Sequence, residues 1–320
     1  MSEIITLGGS LKQPDCATSQ AIPTTWPRIA LVTPVYNSAR YLEQTIESVL
    51  EQRYPNLDYF IVDGGSTDGS TEIIQKYESR LSGWLSEPDN GMYDALNKGF
   101  ARTSGEIMGW VSATDKLHPG GMAVVGSVFR DLPQVEWITG RRTAFSEEGE
   151  TKRIDDVLVW SRWRFLMGAS RRHIQQESTY WRRSLWERAG GYVDASRRSA
   201  SDFELWLRFF RHERVYAVDA LIGGFREHAD SDSLADLGKF NALCDQLADK
   251  ELGEQWGKAY SAYKRIDAVV RRVPKVRALW YRAKFEALNA MYGMRGPVIR
   301  RKNGKWTTGM AYAWSSRAIT

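Results

Sequence analysis

The chain has 320 residues, 42% of them hydrophobic and 12% aromatic, the composition of a soluble globular protein able to bury a core as one domain with an appendage or as two modest domains. No run approaches the roughly 18 apolar residues that cross a bilayer, and the N-terminus lacks a secretory pattern, so a cytoplasmic protein is expected. Two cysteines, Cys16 and Cys244, exclude a disulfide framework and a zinc ligand set.

The net charge of +5 is unevenly spread: residues 241–320 hold 16 Lys/Arg against 6 Asp/Glu, and the rest 28 against 33. Residues 1–26 mix Gly, Ser, Thr, Pro and Gln without a period and read as a poorly ordered tail. Arg28 to Val32 suits a buried strand, broken by the loop Thr33-Pro34-Val35-Tyr36-Asn37, after which Ser38 is placed to cap a helix. In that helix Leu42, Ile46, Val49 and Leu50 share one face. A second buried strand, Tyr59 to Val62, ends in Asp63-Gly64-Gly65-Ser66-Thr67-Asp68-Gly69 and leads into a helix containing Ile73, Ile74 and Tyr77.

A helix over about 94–101 precedes the strand Ile107 to Val111, which stops at Ser112-Ala113-Thr114-Asp115. A helix over 122–129, a strand over 135–139 and a helix through Phe203 to Leu207 follow. Such alternation predicts an α/β fold with parallel strands, and ligands then bind at the strands' carboxyl ends. From about residue 236 onward strand signals give way to helical spacing, with Val269, Val273, Val276 and Trp280 in a stripe among basic residues. A basic helical extension over 236–320 is expected, its stripe suited to an anionic membrane surface or to packing on the main domain.

The segments Thr33 to Asn37, Val62 to Asp68 and Ser86 to Gly99 closely resemble the donor-binding half of family 2 glycosyltransferases. The likeness continues through Asp115, Gln176 to Arg183 and Ser201 to Arg208, covering roughly residues 28–230. It implies a GT-A (Rossmann-like) nucleotide-sugar-binding domain with a mixed central sheet over about 27–235. It also implies an inverting transferase moving a sugar from a nucleoside-diphosphate donor to an acceptor hydroxyl, in surface polysaccharide synthesis.

By the same resemblance Thr33, Pro34, Val35, Tyr36, Asp63, Asp89, Asp94, Asn97, Thr114 and Arg226 serve the nucleotide sugar. Asp115 and His228 would approach a divalent metal, Mn²⁺ or Mg²⁺, which offsets charge on the leaving diphosphate. Gln176, Glu177 and Trp206 would lie on the acceptor side, and Asp202 would be the catalytic base.

Plainer readings stand beside these. Asp63 before two glycines is also a turn residue, Asp89-Asn90-Gly91 a turn, Asp94 a favourable charge at a helix start, and His228 a packed histidine. Asp202 before a helix is also a helix cap, and Leu205, Trp206 and Phe209 fall on its core face. Many relatives carry a second acid where this chain has Gly64, which leaves the nucleobase open. The acceptor is expected to be a glycan or a lipid-linked glycan. The alternatives are transfer to a polyprenyl phosphate and an inactive scaffold of the same fold at a membrane. Nucleic-acid binding is not expected, because no recognition motif accompanies the C-terminal charge.

Overall fold

The computed structural model describes residues 26–166, 174–228, 238–253 and 295–312. The first half alternates as read from the sequence: β1 (Ile29–Val35), α1 (Ala39–Leu50), β2 (Leu57–Asp63), α2 (Ser70–Tyr77), β3 (Gly83–Ser86), α3 (Met92–Phe100) and β4 (Ile107–Trp110). Then come β5 (Lys116–Leu117), α4 (Gly121–Asp131), β6 (Trp137–Thr139), β7 (Thr143–Phe145), β8 (Thr151–Ile154), α5 (Arg162–Leu166), β9 (Thr179–Arg182) and α6 (Arg183–Arg188). The series continues with α7 (Ser201–His212), β10 (Tyr216–Val218), β11 (Gly223–Arg226), a helix α8 over 238–253, β12 (Arg295–Lys302) and β13 (Lys305–Tyr312).

Nine strands form one mixed sheet in the order β13-β12-β10-β6-β9-β4-β1-β2-β3, and β5-β11-β7-β8 form a second, smaller sheet. β4, β1, β2 and β3 run parallel, so their carboxyl ends share one edge. β9 runs antiparallel to β4, which brings the residues entering β9 to that same edge. α7 begins near that same edge, since its Asp202 lies within the field of Glu177 in the turn entering β9. Topology thus gathers the ends of β1, β2 and β4, the start of β9 and the start of α7.

Three local expectations change. β1 runs on to Val35, through Pro34, because its pairing with β4 ends at Val32 and Trp110 and the missing proline N–H costs no bond on that side. Ser38 does not cap α1: its hydroxyl donates to the Tyr36 carbonyl, while the Ala39 N–H donates to Asp68 Oδ2 at 2.9 Å. The C-terminal extension is helical over 238–253, but residues 295–312 form a hairpin that extends the central sheet through β12 and β10. Its two-residue turn, Asn303-Gly304, has both φ angles positive, 50° and 78°, which matches the twist of paired strands. The Val269 to Trp280 stripe lies outside the described residues.

One core lies between α7 and the sheet and is built on tryptophan. Trp206 stacks on Trp110 of β4, with ring centroids 5.7 Å apart and planes 7° apart, and on Trp137 of β6 at 5.5 Å. Trp181 of β9 meets it edge-on at 5.6 Å. Trp206 is 1% exposed, and it lies one helical turn beyond Asp202, on the same face of α7. Docking this ring therefore sets where Asp202 points. Trp206→Ala is expected to lower stability by about 3–5 kcal/mol, measured by urea unfolding. A loss under about 1 kcal/mol would mean that the cluster does not anchor α7.

Candidate functional site

The β1 and β2 ends form the first wall. Tyr36 projects from the loop after β1 and is 64% exposed, whereas Thr33 is buried and shares a 3.0 Å hydrogen bond with the Tyr59 hydroxyl. Asp63 makes the turn of its plainer reading with one oxygen and leaves the other out of it. Its Oδ2 accepts from the backbone N–H groups of Gly65 and Ser66 and from the Ser86 hydroxyl at 2.7–3.1 Å, making a turn. Its Oδ1 is buried without a hydrogen-bond partner.

Gly64 is required by a close approach: a Cβ there would lie 2.7 Å from Asp89 Oδ2. Asp89 accepts the Gly91 N–H at 2.7 Å, and burial raises its pKa. The place beside Asp63 thus holds a carboxylate, delivered from the loop after β3 rather than from the next residue. Asp94 caps locally, accepting the Asn90 N–H at 3.1 Å, and pairs with Lys98. Asn97 exchanges two 2.8 Å hydrogen bonds with the backbone of Val193. Both ends of its amide bond the loop before α7, so in place of the expected contact with the nucleotide sugar the structure shows a structural one.

Asp115 follows β4 and is buried. Its Oδ1 accepts the Arg226 backbone N–H at 2.9 Å, Ser112 also bonds its carboxylate, and burial pushes its pKa up from the ordinary range against the pull of the Arg226 charge. Arg226 is not free to meet a phosphate as expected. It is 0% exposed, and its guanidinium donates to the Thr114 carbonyl, the Glu147 carbonyl and Gln44 Oε1 at 2.6, 2.7 and 3.0 Å. Thr114 enters through that carbonyl. His228 stands two residues past β11, half-buried, with its ring 4.9 Å from that of Tyr41.

Asp202 lies inside the first turn of α7, behind Ala200 at the cap position, and Ala200 holds a positive φ of 62°. Asp202 is 7% exposed, its Oδ1 has no hydrogen-bond partner, and burial pushes its pKa up to about 6. Glu177, in the turn entering β9, is buried; desolvation first, then the Asp115 and Asp202 charges, hold its pKa well above the usual carboxylate range. Gln175 Nε2 donates to it at 3.3 Å. A Cβ on Gly223 would lie 2.2 Å from the Glu177 carbonyl, so glycine lets β11 pass against this turn. Gln176 bonds Ser112 at 3.1 Å, tying the β9 turn to the Asp115 loop. Trp206, expected to meet the acceptor, belongs instead to the aromatic core.

The structure therefore places Glu177 within the fields of both Asp115 and Asp202 and sets Asp63 with Asp89 on the neighbouring strand ends. Among the described residues no group of three or more His, Cys, Asp or Glu could hold a metal. One buried carboxylate still suits a cation that arrives with a diphosphate, since Mg²⁺ commonly takes one or two carboxylates plus substrate oxygens. Gln44, Glu147 and Gln175 escaped the sequence reading. Glu147 acts here through its carbonyl, which any residue supplies, and Gln44 has a partner 182 positions away.

Comparison with known proteins agrees with this geometry. Residues 30–185 match the family model described as Glycosyl transferase family 2. An uncharacterized glycosyltransferase of Mycobacterium tuberculosis is 28% identical over 193 residues, 58% of this chain and 70% of the relative. TuaG of Bacillus subtilis, a glycosyltransferase assigned to teichuronic acid biosynthesis, is 33% identical over 130 residues; the match spans 39% of this chain and about half, 48%, of TuaG. Among solved structures, S. aureus TarS 1–349 in complex with UDP-GlcNAc superposes with a TM-score of 0.58 at 15% identity, covering 82% of this chain and 81% of TarS 1–349. The mannosyltransferase PcManGT from Pyrobaculum calidifontis, in complex with GDP-Man and Mn²⁺, gives 0.53 at 18% identity, covering 87% and 84%. The likenesses to solved structures establish the GT-A fold, and the matched family model together with the named relatives supports a family 2 glycosyltransferase.

Proposed function

We propose that this glycosyltransferase moves a sugar from a nucleoside-diphosphate donor to an acceptor hydroxyl with inversion, Asp202 taking the acceptor's proton. The observation that carries this reading is the Asp202 carboxylate: buried, with an unpartnered oxygen, and held by α7 at the edge where the donor-side strand ends converge. A hydroxyl is a poor nucleophile at neutral pH, and a carboxylate with a pKa near 6 is ionised there yet more basic than an exposed one. In-line displacement then needs no covalent glycosyl-enzyme. Asp63 and Asp89 bind the nucleoside end. Gln176 and Glu177 border the acceptor.

A divalent cation, Mn²⁺ or Mg²⁺, held through Asp115 and the diphosphate, with His228 at the same strand end, would offset the charge gathering on the leaving group. TarS is seen with UDP-GlcNAc and PcManGT with GDP-Man and Mn²⁺, which supports a nucleotide-sugar donor and a cation here. The likeness to TuaG supports surface polysaccharide synthesis, with a glycan or lipid-linked acceptor. No helix among the described residues is long and apolar enough to cross a membrane. The basic C-terminal part, whose Arg301, Lys302 and Lys305 are exposed on the hairpin turn, is suited to an anionic bilayer on the cytoplasmic side.

Asp202→Asn is expected to bind donor normally and lose 10²- to 10⁴-fold in transfer rate. Burial raises the folded-state pKa of Asp202 above its unfolded value, so its contribution to stability is full below about pH 4 and is lost as pH rises through about 6. The Asn variant should thus be at least as stable as the native protein at pH 8, whereas a helix-capping role predicts a loss. The native kcat/KM should fall about tenfold per unit below pH 6. Near-normal turnover by Asp202→Asn would move the base elsewhere.

Asp115→Asn should leave the fold intact and remove the tightening of UDP or GDP binding by Mn²⁺, read by calorimetry; an unchanged response would exclude Asp115 as the cation's ligand. Full-length protein should float with anionic liposomes, lose that binding in high salt, and not float after truncation near residue 265. Equal flotation of both forms would end the membrane assignment.

A further inference from the structure

We infer that Arg226 is the positioning residue for Asp115: its guanidinium sets the distance and angle at which that carboxylate faces the leaving diphosphate. The inference rests on reading Asp115 as the cation-binding carboxylate, and it replaces a direct phosphate contact for Arg226.

Arg226 is the last residue of β11, paired there with Phe145 of β7. Its backbone N–H is the donor to Asp115 Oδ1. Where that N–H points depends on where the side chain is fixed, and three separate elements fix it. Nε is bound to the carbonyl of Thr114, the residue beside Asp115; Nη1 to the carbonyl of Glu147 in the β7–β8 turn; and Nη2 to Gln44 on α1. The Tyr41 ring lies beneath, 5.1 Å from Cζ, and the Tyr41 hydroxyl donates to Glu147 Oε1, closing a loop of contacts around the guanidinium. Thr45 holds the other side of the Asp115 loop, donating to the carbonyls of Ala113 and Asp115 at 2.8 and 2.7 Å.

A planar fork with donors in fixed directions can span three acceptors at once. A lysine ammonium in the same place keeps the charge but not the fork. Because Arg226 is 0% exposed, its influence on the reaction passes through Asp115.

The test compares native protein, Arg226→Lys and Gln44→Ala, the last losing one anchor from an exposed position of α1. UDP and GDP are titrated calorimetrically with Mn²⁺ and in EDTA, and kcat and KM are measured with whichever donor turns over. Supporting-ligand losses commonly cost 10- to 100-fold in metal affinity or activity. Arg226→Lys is expected to lose the Mn²⁺-dependent tightening by that factor and to fall in kcat, with nucleotide binding in EDTA little changed. Gln44→Ala should show a smaller loss of the same kind.

Variants that melt at lower temperature yet keep the native Mn²⁺ response would overturn the inference and leave Arg226 as a packing residue. A native protein whose nucleotide binding ignores Mn²⁺ would overturn the reading of Asp115, and this inference with it. That outcome is told apart by the native titration alone.

Discussion

Burying Asp115 and Asp202 on either side of Glu177 is the constraint on which the rest of this molecule depends. Each carboxylate loses hydration, and Glu177 is also repelled by the other two, so the folded chain opposes their ionisation. Such a cluster persists only if surrounding structure prevents the groups from turning out to solvent. The same desolvation makes it responsive to a cation or a proton brought by a ligand.

Two devices supply that restraint, and they act on different members. The stacked tryptophans of α7, β4, β6 and β9 hold the helix that carries Asp202, and Asn97 and Ser201 fasten the preceding loop to Val193 and Asp194. On the other side, Arg226 ties α1, the Asp115 loop and the β7–β8 turn into one unit. Glu177 sits between, in a turn that Gln176 links to Ser112. Because these ties run between strand ends rather than within elements, they fix the mutual placement of groups far apart in sequence.

Much of this was legible beforehand where the signal was local. Apolar runs ending in polar clusters located β1, β2 and β4 and marked Asp63 and Asp115, and the helical period put Trp206 on the core face of α7. The assignment of Trp206 to the acceptor failed because that same core face is its whole environment. Arg226 was read as a phosphate ligand because a lone arginine near a strand end carries no mark of the carbonyls that surround it in space. Asn97 was misread for a similar reason, its partner being the backbone of Val193. The C-terminal hairpin did carry a local signal, Asn303-Gly304 between two basic, alternating segments. The helical stripe before it drew the whole extension toward helix.

Transfer of a sugar from a nucleoside diphosphate is the work proposed for the strand-end carboxylates. Incubating the pure protein with Mn²⁺ and a panel of UDP-, GDP-, CDP- and dTDP-sugars, and assaying released nucleoside diphosphate, tests it most directly. Release from one donor class, abolished by EDTA, is the predicted result. No release from any donor, with acceptor glycans supplied and the protein shown to be folded, would contradict it.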